Sequence, residues 1–291
     1  MNNSVLVTGG SGFIGTATVR ALLSAGWNVT VGSKSKAKAL GMAGRLVYLD
    51  LRAPHSILAL ADVERFDVII HLGAQVDFRE SCLGDLFVPN ALSTGVLASL
   101  ARIWGARMIF ASTVAVHGLN TDLVDVTSPI VTDNAYANTK WLAEQMIAAS
   151  GASYCILRIG GVFGLRGPNH LGLNKAIDGA LRGIVPVQVG SGAALRNYIY
   201  VEDVAAAIAH VLANDVRGTH MLAGHEVISI HQLLCAVCDQ FLPGMRPKVV
   251  SGIEAKNQIL KTSRDLPISR SFQQALIDLK AKLSNETCII G

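Results

Sequence analysis

Aromatic residues make up only 5% of the 291 positions, and charged residues only 16%. Apolar residues fill half the chain and 28 positions are glycine. That balance suits a sheet buried between helices better than an all-β sandwich. Twenty-five Lys and Arg against 21 Asp and Glu leave a formal charge of +4. The basic residues are scattered, so no stripe of the kind nucleic acid requires is present. The five cysteines, Cys82, Cys155, Cys235, Cys238 and Cys288, are an odd number spread over a long chain. They read as reduced thiols, which excludes a disulfide framework. There is no internal repeat, no low-complexity tract and no apolar run of membrane-spanning length. No basic segment with a small-residue cleavage site precedes the first apolar stretch, so a cytoplasmic protein without a membrane partner is expected. No ligand set has metal-site spacing either: the CxxC of Cys235 and Cys238 falls inside "QLLCAVCDQFL", where both read as small residues of a helix.

What is present is an alternation. "SVLVT", "WNVTV", "RLVYLD", "FDVIIHL", "ARMIFAS" and "SYCILRI" read as buried strands separated by segments long enough for crossover helices. The expected fold is α/β, a Rossmann-type doubly wound parallel sheet with a smaller C-terminal substrate-binding lobe. The dinucleotide-binding domain is expected over residues 1–164, with 196–214 returning to it, and the lobe over 165–195 and 215–291. Within the lobe, "NKAIDGALRG" reads as a helix, "VPVQVGSG" as a strand entering a turn, and "SIHQLLCAVCDQFL" as a helix opening at Ser229. The stretch after Ser251 carries no clear pattern.

The first strand runs into Thr8-Gly9-Gly10-Ser11-Gly12-Phe13-Ile14-Gly15 and then an apolar-periodic helix. Glycines there permit a tight turn and close backbone approach, and the helix N-terminus offers N–H groups to a pyrophosphate. A ligand-free turn is the plainer alternative. About 20 residues past such glycines, NAD-specific sites place a carboxylate on the adenosine ribose. Here Ser33 stands, followed by Lys34 and Lys36. A 2′-phosphate meets no repelling charge, so NADP is expected ahead of NAD, with an exposed basic loop as the alternative. Further on, "AYANTKWLAEQ" puts Tyr136 and Lys140 four apart on one helical face. A phenol becomes a usable acid or base when a cation stands near it.

The order of these features, with "FASTVAVHG" between them, resembles the extended short-chain dehydrogenase/reductase family, particularly its nucleotide-sugar epimerases, dehydratases and reductases. The resemblance rests on TGGxGFIG and YxxxK, and runs from Val5 to about Leu212. It implies that Tyr136 is the general acid/base. It implies too that Lys140 binds the nicotinamide ribose while lowering the tyrosine pKa, and that Thr113 hydrogen-bonds the reacting oxygen with Ser112 as helper. It also implies cofactor contacts from Gly9, Gly12, Phe13, Ile14, Gly15, Asp50, Leu51, Leu72, Gly73, Ala74 and Asn90, and a homodimer built on helices near 90–102 and 136–149. His71 and His117 fall in family motifs as packing residues.

The same resemblance orders the chemistry. Dehydratases of the family follow the Thr with an Asp-Glu pair, whereas Val114 and Ala115 stand here and cannot move protons. Arg196 occupies a place where sugar-nucleotide enzymes set an arginine on the substrate diphosphate, which guanidinium geometry suits. Gly161 replaces an Asn that helps to hold substrate in many relatives, and leaves room for a bulkier one. The expected function is an NAD(P)-dependent epimerase or 4-ketoreductase of a nucleotide sugar. An NADPH-dependent reductase of another carbonyl compound and a non-catalytic dinucleotide sensor remain as alternatives.

Overall fold

The structure is a computed structural model that describes residues 3–34, 45–62, 64–77, 83–118 and 122–290, the side chains of 286–290 aside. The expected Lys36 and Cys82 lie outside the described residues. Two compact units emerge: one of residues 1–119, 128–159 and 204–220, the other of 120–127, 160–203 and 221–291.

The first unit is built on strands β1 (Ser4–Thr8), β2 (Asn28–Ser33), β3 (Arg45–Tyr48), β4 (Val68–His71), β5 (Arg107–Thr113), β6 (Ser153–Ile159) and, at the sheet's edge, the start of β7 (Gly218–Leu222). Their order is β7-β6-β5-β4-β1-β2-β3, and the pairings from β6 through β3 are all parallel. Right-handed crossovers require helices on both faces of such a sheet, so its inner strands must be apolar throughout. β1 and β4 are accordingly buried at every residue. β3 departs from that expectation. "RLVYLD" reads as a buried strand, but as the last strand of the sheet it is half-exposed, with Tyr48 58% accessible.

Helices α1 (Phe13–Ser24) and α2 (Pro54–Leu58) are followed by α3 (Leu83–Trp104), which contains a π-helical turn at Val88–Leu92. Pro89 lacks the N–H that a regular turn uses, and the wider turn accommodates it. By length and composition α3 is apolar enough to cross a membrane, contrary to the expectation of no such run. Just over half of the tested window is buried inside the fold, where Leu97, Ala98 and Ala101 pack with Leu6, Ile69 and Met108. Helix α4 (Ala135–Ala149) opens on an Asn134 cap whose side chain accepts the Ala137 N–H at 2.9 Å.

The second unit contains α5 (Gly172–Leu181), the start of α6 (Val201–Ala213), α7 (Ile230–Phe241) and α8 (Phe272–Ile290). Short ladders join Val187–Val189 to Lys248–Val250 and Leu195–Arg196 to Ile228–Ser229. Helix α7 begins where the sequence signals it: Ser229 and Gln232 form a reciprocal capping box.

Candidate active site

The turn from β1 into α1 closes against the turn after β4. Gly9 has φ +69°, and a Cβ there would stand 2.6 Å from the Gly73 nitrogen. A Cβ on Gly15 would stand 2.1 Å from the Gly9 carbonyl oxygen. Only hydrogen fits at both places, so the glycines serve a close backbone approach. Gly12 is the N-cap and provides no side chain. The N–H groups of Phe13, Ile14 and Gly15 therefore open the helix without a side-chain cap, an arrangement suited to an anion. His71 braces this turn from behind, fully buried between Thr8 and Thr94 and stacked on Phe110. Thr94 donates its hydroxyl proton to the Asn90 carbonyl. It thus accepts from His71 Nε2–H, which leaves Nδ1 to accept from Thr8. Burial holds this imidazole neutral, with its pKa pushed down to about 3.

Beside the glycines lies a cavity of about 200 Å³. Gly9, Ser33, Lys34, Asp50, Leu51, Gly73 and Ala74 line it, as do Ser11, Arg52 and Gln75, which the sequence reading did not single out. Ser33 Oγ lies 3.5 Å from Ser11 Oγ at the end of β2. Asp50 also caps its own turn, accepting the Arg52 N–H at 3.0 Å. Arg52 is aimed by two bonds from its guanidinium to Gln75 Oε1, at 3.1 and 2.7 Å. Leu72 hydrogen-bonds back to the Thr8 carbonyl. Asn90 is committed elsewhere: its amide pairs with the Gln75 backbone in both directions and donates to Thr139 Oγ1 at 3.2 Å. It ties the turn after β4 to α4. The glycine cradle, the uncapped helix start and this polar cavity fit a dinucleotide.

The residues to which the resemblance gives catalytic roles sit on β5 and α4. Thr113 ends β5, and its Oγ1 accepts the Ala115 N–H at 3.2 Å, leaving the hydroxyl proton as the one it can donate. Ser112 does not share that position. Side chains alternate along a strand, and Ser112 Oγ instead donates to Glu144. Val114 and Ala115 are buried and apolar. Tyr136 packs against Leu86 and Ala135, and burial pushes its pKa up to about 12, opposite in direction to the lowering that the family resemblance implies. Lys140 is fully buried, with Nζ 3.9 Å above the centre of the Phe110 ring. Burial brings its pKa down to about 7, while the Glu144 carboxylate one turn away works the other way.

Glu144 anchors a buried network that motif reading did not find. Arg158 Nη2 donates to Glu144 Oε2 at 2.7 Å, and Arg158 Nε reaches both carboxylate oxygens at 3.2 Å. Arg158 Nη1 donates to His117 Nε2 at 3.1 Å, and His117 Nδ1 donates to the Pro129 carbonyl at 3.0 Å. β5, β6, α4 and the turn after Thr113 are thereby joined.

In the second unit, Arg196 Nη1 donates to the Leu195 and Lys256 carbonyls. Leu195 and Lys256 also line a cavity of about 900 Å³. The space above Gly161 is filled: a Cβ there would lie 2.6 Å from Tyr198 Cδ1. Room for a bulkier substrate is therefore not what this glycine provides. It admits the Tyr198 ring, whose phenol neighbours the Arg196 guanidinium.

Comparison with known proteins follows the same lines. The model of the NAD dependent epimerase/dehydratase family matches residues 5–224. The chain is 30% identical over 250 residues to a probable UDP-arabinose 4-epimerase of Arabidopsis thaliana, covering 72% of this chain and 60% of that protein. It is 31% identical over 223 residues to a putative UDP-glucose 4-epimerase of Methanocaldococcus jannaschii, covering 70% and 71%. The fold is similar to that of the Thermotoga maritima UDP-glucose 4-epimerase, with a TM-score of 0.83 at 20% identity over 98% of this chain and 99% of that one. Since the matched stretch takes in the glycine turn, Thr113, Tyr136 and Lys140 alike, the chain belongs to the NAD dependent epimerase/dehydratase family, within the extended short-chain dehydrogenase/reductases.

Proposed function

We propose that the chain catalyses hydride transfer at a carbinol or ketone carbon of a nucleotide sugar, as a 4-epimerase or 4-ketoreductase, with Tyr136 as general acid/base. The observation that carries this reading is the combination, in one unit, of a glycine cradle for a dinucleotide with Thr113, Tyr136 and Lys140 on adjoining elements. When bound, the nicotinamide supplies the hydride acceptor or donor. Tyr136 gives its phenolic proton to the oxygen of a ketone being reduced, or takes one from a carbinol being oxidised. Thr113 donates a hydrogen bond to that oxygen and orients it. Lys140 holds a ribose hydroxyl. A phenol with a raised pKa is held in the acid form, the form ketone reduction consumes. Val114 and Ala115 offer no second acid or base, which disfavours loss of water.

Arg196 is assigned to the diphosphate of the substrate. Ser33, Lys34 and Arg52 at the cavity favour a 2′-phosphate, so NADP is proposed ahead of NAD. Leu92 and Ile103 on α3 and Leu142 on α4 are large exposed apolar side chains, which supports pairing of these helices in a homodimer. Titration calorimetry with NADPH, NADH and UDP tests the binding roles. NADPH is expected to bind at least tenfold more tightly than NADH, and UDP to bind wild type but not Arg196→Ala. An NADH preference would overturn the cofactor assignment, and equal UDP binding by both chains would overturn the substrate class.

A further inference from the structure

Helix α7 carries a thiol with a base beside it, in the second unit and outside the residues assigned above. His231 and Cys235 are four residues apart, on one face of the helix. Cys235 Sγ lies 3.5 Å from His231 Nε2. His231 Nδ1 lies 2.8 Å from Gln188 Oε1. Gln188 is buried, and its amide orientation is set by a third bond, in which Nε2 donates to the Gly190 carbonyl at 3.0 Å. With that nitrogen committed as donor, Oε1 is the acceptor that faces the imidazole. His231 therefore carries its proton on Nδ1 and turns the Nε2 lone pair toward the Cys235 S–H.

The imidazole is also held in place from the main chain. His231 N–H donates to the Gly192 carbonyl and Ile230 N–H to the Ala194 carbonyl, both at 2.9 Å. The two other described thiols differ. Cys155 and Cys238 are fully buried, and burial raises the pKa of each.

We propose that Cys235 is a reactive thiol, activated by His231 and Gln188, that is oxidised by hydroperoxides to a sulfenic acid. The S–H proton passes to His231 Nε2, and the thiolate attacks the outer oxygen of the peroxide. The S–O bond forms as the O–O bond breaks, so that sulfur is oxidised by two electrons and the peroxide is reduced. The departing oxygen takes the imidazolium proton and leaves as water or an alcohol.

The test is sulfenic-acid trapping with dimedone on the full chain treated with hydrogen peroxide at pH 7, read by peptide mass spectrometry. Label is expected on Cys235 and not on Cys155 or Cys238. His231→Ala is expected to slow it about tenfold in a chain that remains folded, as its circular dichroism would show. Cys235→Ser removes the labelled peptide. Equal labelling rates in wild type and His231→Ala, or a wild-type Cys235 that takes no label, would overturn the proposal.

Discussion

Lys140 is a buried cation, and the groups that face it decide whether it remains one. His71, held neutral by burial, and Glu144, paired with Arg158, are its titratable neighbours; Phe110 offers the face of its ring. Burial alone favours loss of the proton, and Glu144 opposes that. The ammonium is present below its pKa of about 7 and fades as pH rises through it. Glu144→Gln removes the opposing charge, so the alkaline fall of kcat is expected to move to lower pH, as a pH–rate profile would read. The same change strands a buried guanidinium, at a cost of about 3–5 kcal/mol in stability, which a denaturant titration checks. An unmoved pH profile with only the stability loss would leave Glu144 a structural residue.

At the scale of elements, the Asn134 cap starts α4 and so sets the two turns that present Tyr136 and Lys140. Asn134→Ala is expected to cost about 1 kcal/mol, seen as a lower melting temperature, and to reduce kcat because the helix start carries the phenol. The inner strands could be read from sequence because burial on both faces makes them continuous apolar runs. β3 misleads for the same reason, since "RLVYLD" has that look while occupying an edge. Helix α3 runs through Pro89 by way of its π turn. Helix α8 escapes notice because its buried positions are few, Phe272, Ala275, Leu276 and Leu279 among them, in an otherwise polar stretch. The placement of Thr113 at the end of β5, and of Tyr136 and Lys140 at the start of α4, is legible from motif order. The opposite facing of Ser112 follows from strand alternation. The partnership of His117, Glu144 and Arg158 is not legible, because three residues far apart in sequence meet only when β5, β6 and α4 pack.

For the whole molecule, the division of labour follows the two units. The first holds the glycine cradle with Thr113, Tyr136 and Lys140, and the second holds Arg196, Tyr198 and the His231–Cys235 pair. A chain organised in this way is expected to keep dinucleotide binding when its chemistry is removed. Tyr136→Phe deletes one oxygen and leaves the cradle intact. The most direct measurement is turnover of a UDP-hexose or its 4-keto form by wild type and Tyr136→Phe, followed by NMR alongside dinucleotide affinity. The account predicts turnover by wild type, a loss of roughly 100-fold or more in the variant, and dinucleotide binding within about threefold of wild type. Turnover by Tyr136→Phe at the wild-type rate would contradict it.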